Sequence, residues 1–296
     1  MTKLISKNYF FIFEKTNLMK KLSQLPIALF LLLSISINAQ GKLKGNKEVT
    51  TENREISNFT KVEVLDKISV KLVYNENQSV LVETDSNLQS SIITEVVNGT
   101  LIIKLNEKIG KYREMAVHLS VNNNLKELFA YNKSSLKSDN LLIIDSLKIN
   151  AFDDAEITLK VNTKTLDIQA KKTTKLNLEA VSNETIINTE ESANLKATID
   201  TKNILIYVLD RSDIYLKGTC SHLEMESNGN SIFKGNNFKT KTAIVKTNNN
   251  SKAYIDSSES IDISAFNSSE VYLYANPKIT LAHFLDKASL YKRPSN

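Results

Sequence analysis

Through the second half of the chain, apolar and polar positions alternate in short runs. Examples are Leu166, Ile168 and Ala170; Ile204, Ile206 and Val208; Ile214 and Leu216; Ile261, Ile263 and Ala265; and Val271 and Leu273. Period two marks a strand with one buried face, and no window sustains the i, i+3, i+4, i+7 spacing of an amphipathic helix. A second, longer period overlies the first. A small residue, a polar residue and an aliphatic residue recur at Ala155-Glu156-Ile157, Thr174-Lys175-Leu176, Ala193-Asn194-Leu195, Ser212-Asp213-Ile214, Asn230-Ser231-Ile232, Ser251-Lys252-Ala253, Ser269-Glu270-Val271 and Ala288-Ser289-Leu290. Successive copies lie 19, 19, 19, 18, 21, 18 and 19 residues apart. A fixed period of this size is the signature of a solenoid, in which each unit buries its apolar face against its neighbours.

Nineteen residues at ~3.3 Å each make one coil of two or three short strands with tight corners. The corners fall on Asp153-Asp154, Lys171-Lys172-Thr173, Glu190-Glu191, Asp210-Arg211, Asn228-Gly229-Asn230, Asn248-Asn249-Asn250 and Asn267-Ser268. Asn and Asp tolerate left-handed backbone angles, which suits a chain with only 7 glycines. Stacking then places Ile157, Leu176, Leu195, Ile214, Ile232, Val271 and Leu290 in one interior row, with the small residue of each copy turned inward at its corner.

The expected fold class is all-β: a right-handed β-helix-like solenoid with coils of about nineteen residues, preceded by an irregular β-strand region. Residues 147–296 are the regular coils and residues 54–146 a first β region continuous with them. In that first region Val62–Val64, Ile68–Val73, Val80–Val82, Leu101–Leu105 and Met115–Val121 read as strands, and Asn98-Gly99 as a hairpin turn. Leu88–Val97 fits either a helical turn or a short strand. Residues 40–53 read as a flexible lead-in.

The amino end gives an address. Lys20-Lys21 precede an apolar run, Leu25–Ile37, and Ala39 supplies a small residue at a cleavage point before Gln40. This is the pattern of a secretory signal peptide over residues 1–39, with Met19 as an alternative start. The run is too short to span a bilayer, which needs about 20 residues, and no later stretch qualifies. The expected mature chain is exported to the periplasm, cell surface or exterior. Removing 1–39 also removes five lysines and Glu14, so the formal charge of +5 falls to +5 − 4 = +1. The remaining lysines are interleaved with acids, which excludes a nucleic-acid partner.

The order Arg54-Glu55-Ile56, Phe59, Val62-Glu63-Val64, Ile68-Ser69-Val70-Lys71-Leu72, Val80-Leu81-Val82-Glu83, Asn87-Leu88 and Asn98-Gly99-Thr100-Leu101-Ile102-Ile103 resembles the opening of the GIN domain. The repeating unit that follows is similar to that family's second half, and the resemblance covers roughly residues 53–290. The chain departs from the family's glycine-containing repeat at Asp153, Lys172, Glu191, Arg211 and Lys287. The family is described as the head domain of auto-transporter adhesins, so the resemblance implies adhesion. It carries no ligand or catalytic residue onto any position here.

The chemistry-bearing side chains are sparse. His118, His222 and His283 lack metal-ligand spacing, and Cys220 is the single cysteine, so neither a metal site nor a cofactor is called for. Acids at the corners Asp153, Glu191 and Asp210, with Asp213, invite the alternative of a polysaccharide hydrolase or lyase. Solenoid enzymes grow long loops to build a cleft, and none interrupts these repeats. No catalytic residue is assigned. The aromatics Tyr215, Phe233, Tyr254, Tyr272 and Tyr291 follow the aliphatic position of successive copies, which by alternation sends them outward as a ladder. Such a ladder either braces the sheet or forms a recognition strip. The expected function is a non-enzymatic binding or adhesion module for a glycan or cell-surface protein.

Overall fold

The computed structural model describes residues 41–294, so the signal-peptide expectation for residues 1–39 lies outside the described residues. The unit that begins at Leu43 is built almost wholly of strands. Its first part contains β1 (Val49–Arg54), β2 (Lys61–Val64), β3 (Ser69–Tyr74), β4 (Ser79–Asp85), β5 (Ile92–Val97), β6 (Thr100–Leu105), β7 (Met115–Val121), β8 (Glu127–Ala130) and β9 (Ser135–Ile143). The second part runs β10 (Ser146–Ala151), β11 (Glu156–Asn162), β12 (Thr165–Lys171), β13 (Lys175–Val181), β14 (Glu184–Glu190), β15 (Asn194–Asp200) and β16 (Asn203–Val208). It ends with three long strands that bend through a corner, β17 (Asp213–Ser227), β18 (Ile232–Thr247) and β19 (Lys252–Ala265), then β20 (Glu270–Tyr274), β21 (Lys278–Phe284) and β22 (Ser289–Lys292).

Each coil contributes one strand to each of two parallel stacks. The first stack runs β6, β2, β8, β10, β12, β14, β16, the second halves of β17, β18 and β19, then β21. The second stack runs β7, β3, β9, β11, β13, β15, the first halves of β17, β18 and β19, then β20 and β22. Parallel stacking therefore begins at Lys61, well before residue 147. The irregularity of the first region lies in its order: the coil β2–β3 sits between β6–β7 and β8–β9, although it precedes both in sequence. Antiparallel strands close that end, β4 on β7 with β1 on β4, and β5 on β6. The lead-in expectation thus fails for Val49–Asn53, which pair with β4. Leu88–Val97 divides into a 3-10 turn, Ser86–Ser91, and β5. Asn98 and Gly99 make the hairpin turn with φ of 51° and 74°.

Alternation along both stacks produces one continuous apolar interior. Its corner row holds Ala155, Thr174, Ala193, Ser212, Ser231, Ser251 and Ser269, none more than 1% exposed, because only small side chains fit where the coil narrows. The left-handed corner residues are Asn132, Lys133, Asp153, Asp154, Lys172, Glu191, Asp210, Asn249, Asn267, Ser268, Asp286 and Lys287, with Gly229. Left-handed Lys172 and Glu191 cost roughly 1–2 kcal/mol each relative to glycine. Contacts between coils offset that cost. Lys172 bonds the Asp153 carboxylate, Lys171 pairs with Glu190 and Glu191, and amides of Asn249 and Asn267 donate to Asn228 and Asn248 at 2.6 and 2.9 Å.

Two members of the expected interior row, Ile232 and Leu290, are not fully buried. Ile232 is half-buried and sits in register with Asp213 and Lys252, while Phe233 is fully buried between Ile214 and Ala253. Counting Ser231 rather than Asn230 as the small residue restores spacings of 19 and 20 and puts Phe233 in the row. The bulky ring fits because its neighbours are small: a Cβ on Gly235 would lie 2.5 Å from the Phe233 ring, and Ala253 fills the next coil. Leu290 is only half-buried, since β21 and β22 pack on one side alone and leave Ile279 and Leu281 exposed.

Asp85 holds the opposite end together. Burial pushes its carboxyl up, but backbone N–H groups of Lys47, Arg113 and Glu114 and the charge of Arg113 outweigh that and hold it below the usual carboxylate range. A depressed folded value means the stabilisation is present above the unfolded value, about 3.9, and is lost as pH falls through the folded one. Asp85→Asn is therefore expected to cost about 1–3 kcal/mol at neutral pH. The gap to wild type should close on acidification below about pH 4. Urea midpoints at pH 7 and pH 2.5 check this, and an equal gap at both contradicts it.

Candidate functional site

The outward face of the second stack carries the row Thr158, Asn177, Lys196, Tyr215, Lys234, Tyr254, Tyr272 and Tyr291, each in register with the next. Four of the five ladder residues occupy it. Phe233 does not; its ring lies in the core, and Lys234 takes the outward position.

Tyr254 and Tyr272 stack at 4.4 Å between centroids with planes 5° apart, and Tyr272 and Tyr291 at 5.0 Å and 20°. The rings therefore spend most of their faces on each other and turn their edges to solvent. Arg293 lies over Tyr272 and Tyr291 at 5.1 and 5.8 Å. The Tyr272 hydroxyl donates to the Glu270 carboxylate, which with burial pushes the phenol up to about 12. Glu270 is held low by the same bond, against desolvation, and by Lys252 at 3.1 Å. Tyr215 is flanked instead by cations, Lys234 at 4.7 Å and Lys196 at 5.9 Å from its ring centroid.

Beside Tyr215 the face sinks into an open groove of about 410 Å³, lined by Thr158, Lys160, Asn177, Glu179, Lys196, Thr198, Tyr215 and Lys217. A larger hollow, about 590 Å³, lies on the first stack around Lys126, Asp145, Lys148 and Asp167. There Lys148 pairs with Asp167 at 3.5 Å and Lys164 with Asp145 at 3.0 Å.

The residues weighed for catalysis are dispersed or engaged. Asp153, Glu190 and Glu191 are tied to Lys172 and Lys171. His118 contacts Glu83 at 2.7 Å, His222 contacts Thr242 at 2.8 Å, and His283 stacks on Phe266. Among the described residues no three His, Cys, Asp or Glu side chains gather as metal ligands. Burial pushes the Cys220 thiol up to about 11 in spite of a bond to Thr240, so it stays protonated. A second aromatic group, Phe129, Tyr131 and Phe152, stacks at 6.4 and 5.3 Å on the first-stack side. Its signal was present in the sequence as Ala130-Tyr131 and Ala151-Phe152, the same corner of adjacent coils.

Comparison with known proteins agrees with this architecture. A family model described as "Putative auto-transporter adhesin, head GIN domain" matches residues 58–185 and 177–277. No curated protein matches the chain. Among solved structures, a "putative adhesin" of Parabacteroides merdae aligns with TM-score 0.64 at 16% identity, covering 85% of this chain and 99% of its own. A "putative adhesin" of Parabacteroides distasonis gives 0.61 at 14% identity, covering 86% and 100%. A "putative lipid binding protein" of the same species gives 0.57 at 18%, covering 85% and 97%. At these identities the likeness shows a shared fold. No helix among the described residues is long and apolar enough to cross a membrane.

Proposed function

The chain belongs to the GIN-domain family of auto-transporter adhesin heads, and from that premise we propose that it is an exported adhesion module that binds a glycan or cell-surface protein without turnover. The binding surface is the outward face of the second stack, from the groove at Asn177 to the tyrosines at Tyr254, Tyr272 and Tyr291. The single observation that carries this reading is the juxtaposition on one face of an open groove, lysines without a carboxylate partner and a tyrosine stack. The corner carboxylates, bound to lysines of adjacent coils, do not favour hydrolysis.

A glycan array probed with residues 40–296, with the retained ligand analysed by mass, tests the reading. Retention of a subset of glycans, recovered intact, is expected; cleavage of any retained glycan would move the protein to the enzymes. Retention on no glycan, together with no attachment to cells, would sink the proposal. The tyrosines supply a further expectation. Replacing Tyr254 and Tyr272 by Ser removes two stacked pairs, each contributing roughly 0.5–1.5 kcal/mol beyond area. Attachment should weaken at 25 °C while the variant remains folded by circular dichroism.

A further inference from the structure

We propose that the ligand of this face is an acidic polysaccharide, its carboxylate or sulfate groups held by Lys196, Lys217 and Lys234 around Tyr215; this rests on the adhesion reading above and names its ligand class. Several other lysines on the same face are paired. Lys160 meets Glu179 at 3.1 Å, Lys175 meets Glu156 at 3.1 Å, and Lys252 meets Glu270 at 3.1 Å. Among the described residues, Lys196, Lys217 and Lys234 have no carboxylate within 4.0 Å, although all three sit on one face within three adjacent coils. Asp213 faces Lys234 at longer range and offsets part of its charge. Glu179, the one acid in the groove wall, is already taken by Lys160.

An unpaired ammonium costs little in water and gains most when an anion desolvates with it, through charge-assisted hydrogen bonds. Lys196 and Lys234 lie two coils apart on a line parallel to the solenoid axis, a repeat of roughly 9–10 Å from the interstrand spacing. An extended polysaccharide bearing acid groups at regular intervals can match such a line. Asn177 and Thr198 in the groove supply the neutral donors and acceptors that sugar hydroxyls need. Polynucleotides are disfavoured because recognition of single strands leans on open aromatic faces. Here Lys196 and Lys234 cover Tyr215, and the other tyrosines cover one another.

The test measures affinity of the full mature chain for alginate, heparin, neutral dextran and poly-dT over a salt series. Alginate or heparin should bind best and weaken as salt rises. Lys196→Gln with Lys217→Gln should lower that affinity roughly tenfold or more while thermal unfolding is unchanged, since both side chains are exposed. Lys175→Gln, which removes an equal charge from a paired lysine on the same face, should change it less than about twofold. Equal affinity for dextran, or equal losses for Lys175→Gln, would overturn the acidic ligand and leave the adhesion reading standing. Preference for poly-dT would overturn it in favour of a polynucleotide. Binding to no glycan at all would overturn the acidic ligand, and only together with no attachment to cells would it remove the adhesion reading beneath it.

Discussion

Ile214→Asp is expected to unfold the coils on either side of β17. Ile214 is fully buried, with Leu195 in the coil before and Phe233 in the coil after. An aspartate there has no cation within the interior to pair with. Either the charge is buried without compensation or the carboxyl is protonated at the expense of a large upward shift; both routes cost several kcal/mol. In a solenoid this penalty falls on nearest-neighbour interfaces, which supply most of the stability. Thermal unfolding should shift down steeply or split into two transitions as the array loses its middle. An unchanged midpoint would show that the interior row has been misassigned.

The next largest effect is expected at Phe233. Truncation to Ala removes a fully buried ring whose space is shaped by Gly235 and Ala253, and large-to-small changes of this kind cost about 3–5 kcal/mol. Lys234→Ala, one residue along and on the outward face, should cost less than about 1 kcal/mol. Denaturant midpoints for the pair separate the two registers directly. If Lys234→Ala were the more damaging, Phe233 would belong outside after all, and the ladder would regain its fifth ring.

Phe233 also shows why part of the site was not legible in the sequence. The repeat period, the strand character of each unit, the corners and the small inward residue all follow from local patterning, and the coils are built as that patterning implies. At Asn230-Ser231-Ile232-Phe233, however, two small polar residues are adjacent, and either can head the repeat. A slip of one residue exchanges the two faces of a strand, so the choice reverses inside and outside. The deciding signal was compensation in volume: Gly235 and Ala253 are small where a ring must fit.

Three further features depend on contacts distant in sequence, which no local pattern carries. The first three coils are ordered β6–β7, β2–β3, β8–β9 because a hairpin returns the chain to the far side of its own start. Asp85 gathers backbone N–H groups from Lys47 and Arg113, 38 and 28 residues away. The contrast between paired and unpaired lysines emerges only once coils are stacked, because partners such as Lys175 and Glu156 are 19 residues apart. The period that revealed the solenoid thus also sets which charges meet, and at the groove Lys196 and Lys217 meet no carboxylate.

The central claim is that recognition belongs to the second-stack face, and comparing the two faces in one attachment assay tests it most directly. One variant combines Lys196→Gln, Lys217→Gln and Tyr254→Ser; its counterpart combines Asn188→Ala, Tyr207→Ser and Lys246→Gln on the first stack, where these residues face outward in register. With both variants folded, attachment to cells or glycan-coated surfaces should fall at least tenfold for the first and stay within about twofold of wild type for the second. Loss confined to the first-stack variant, or equal loss for both, would contradict the account.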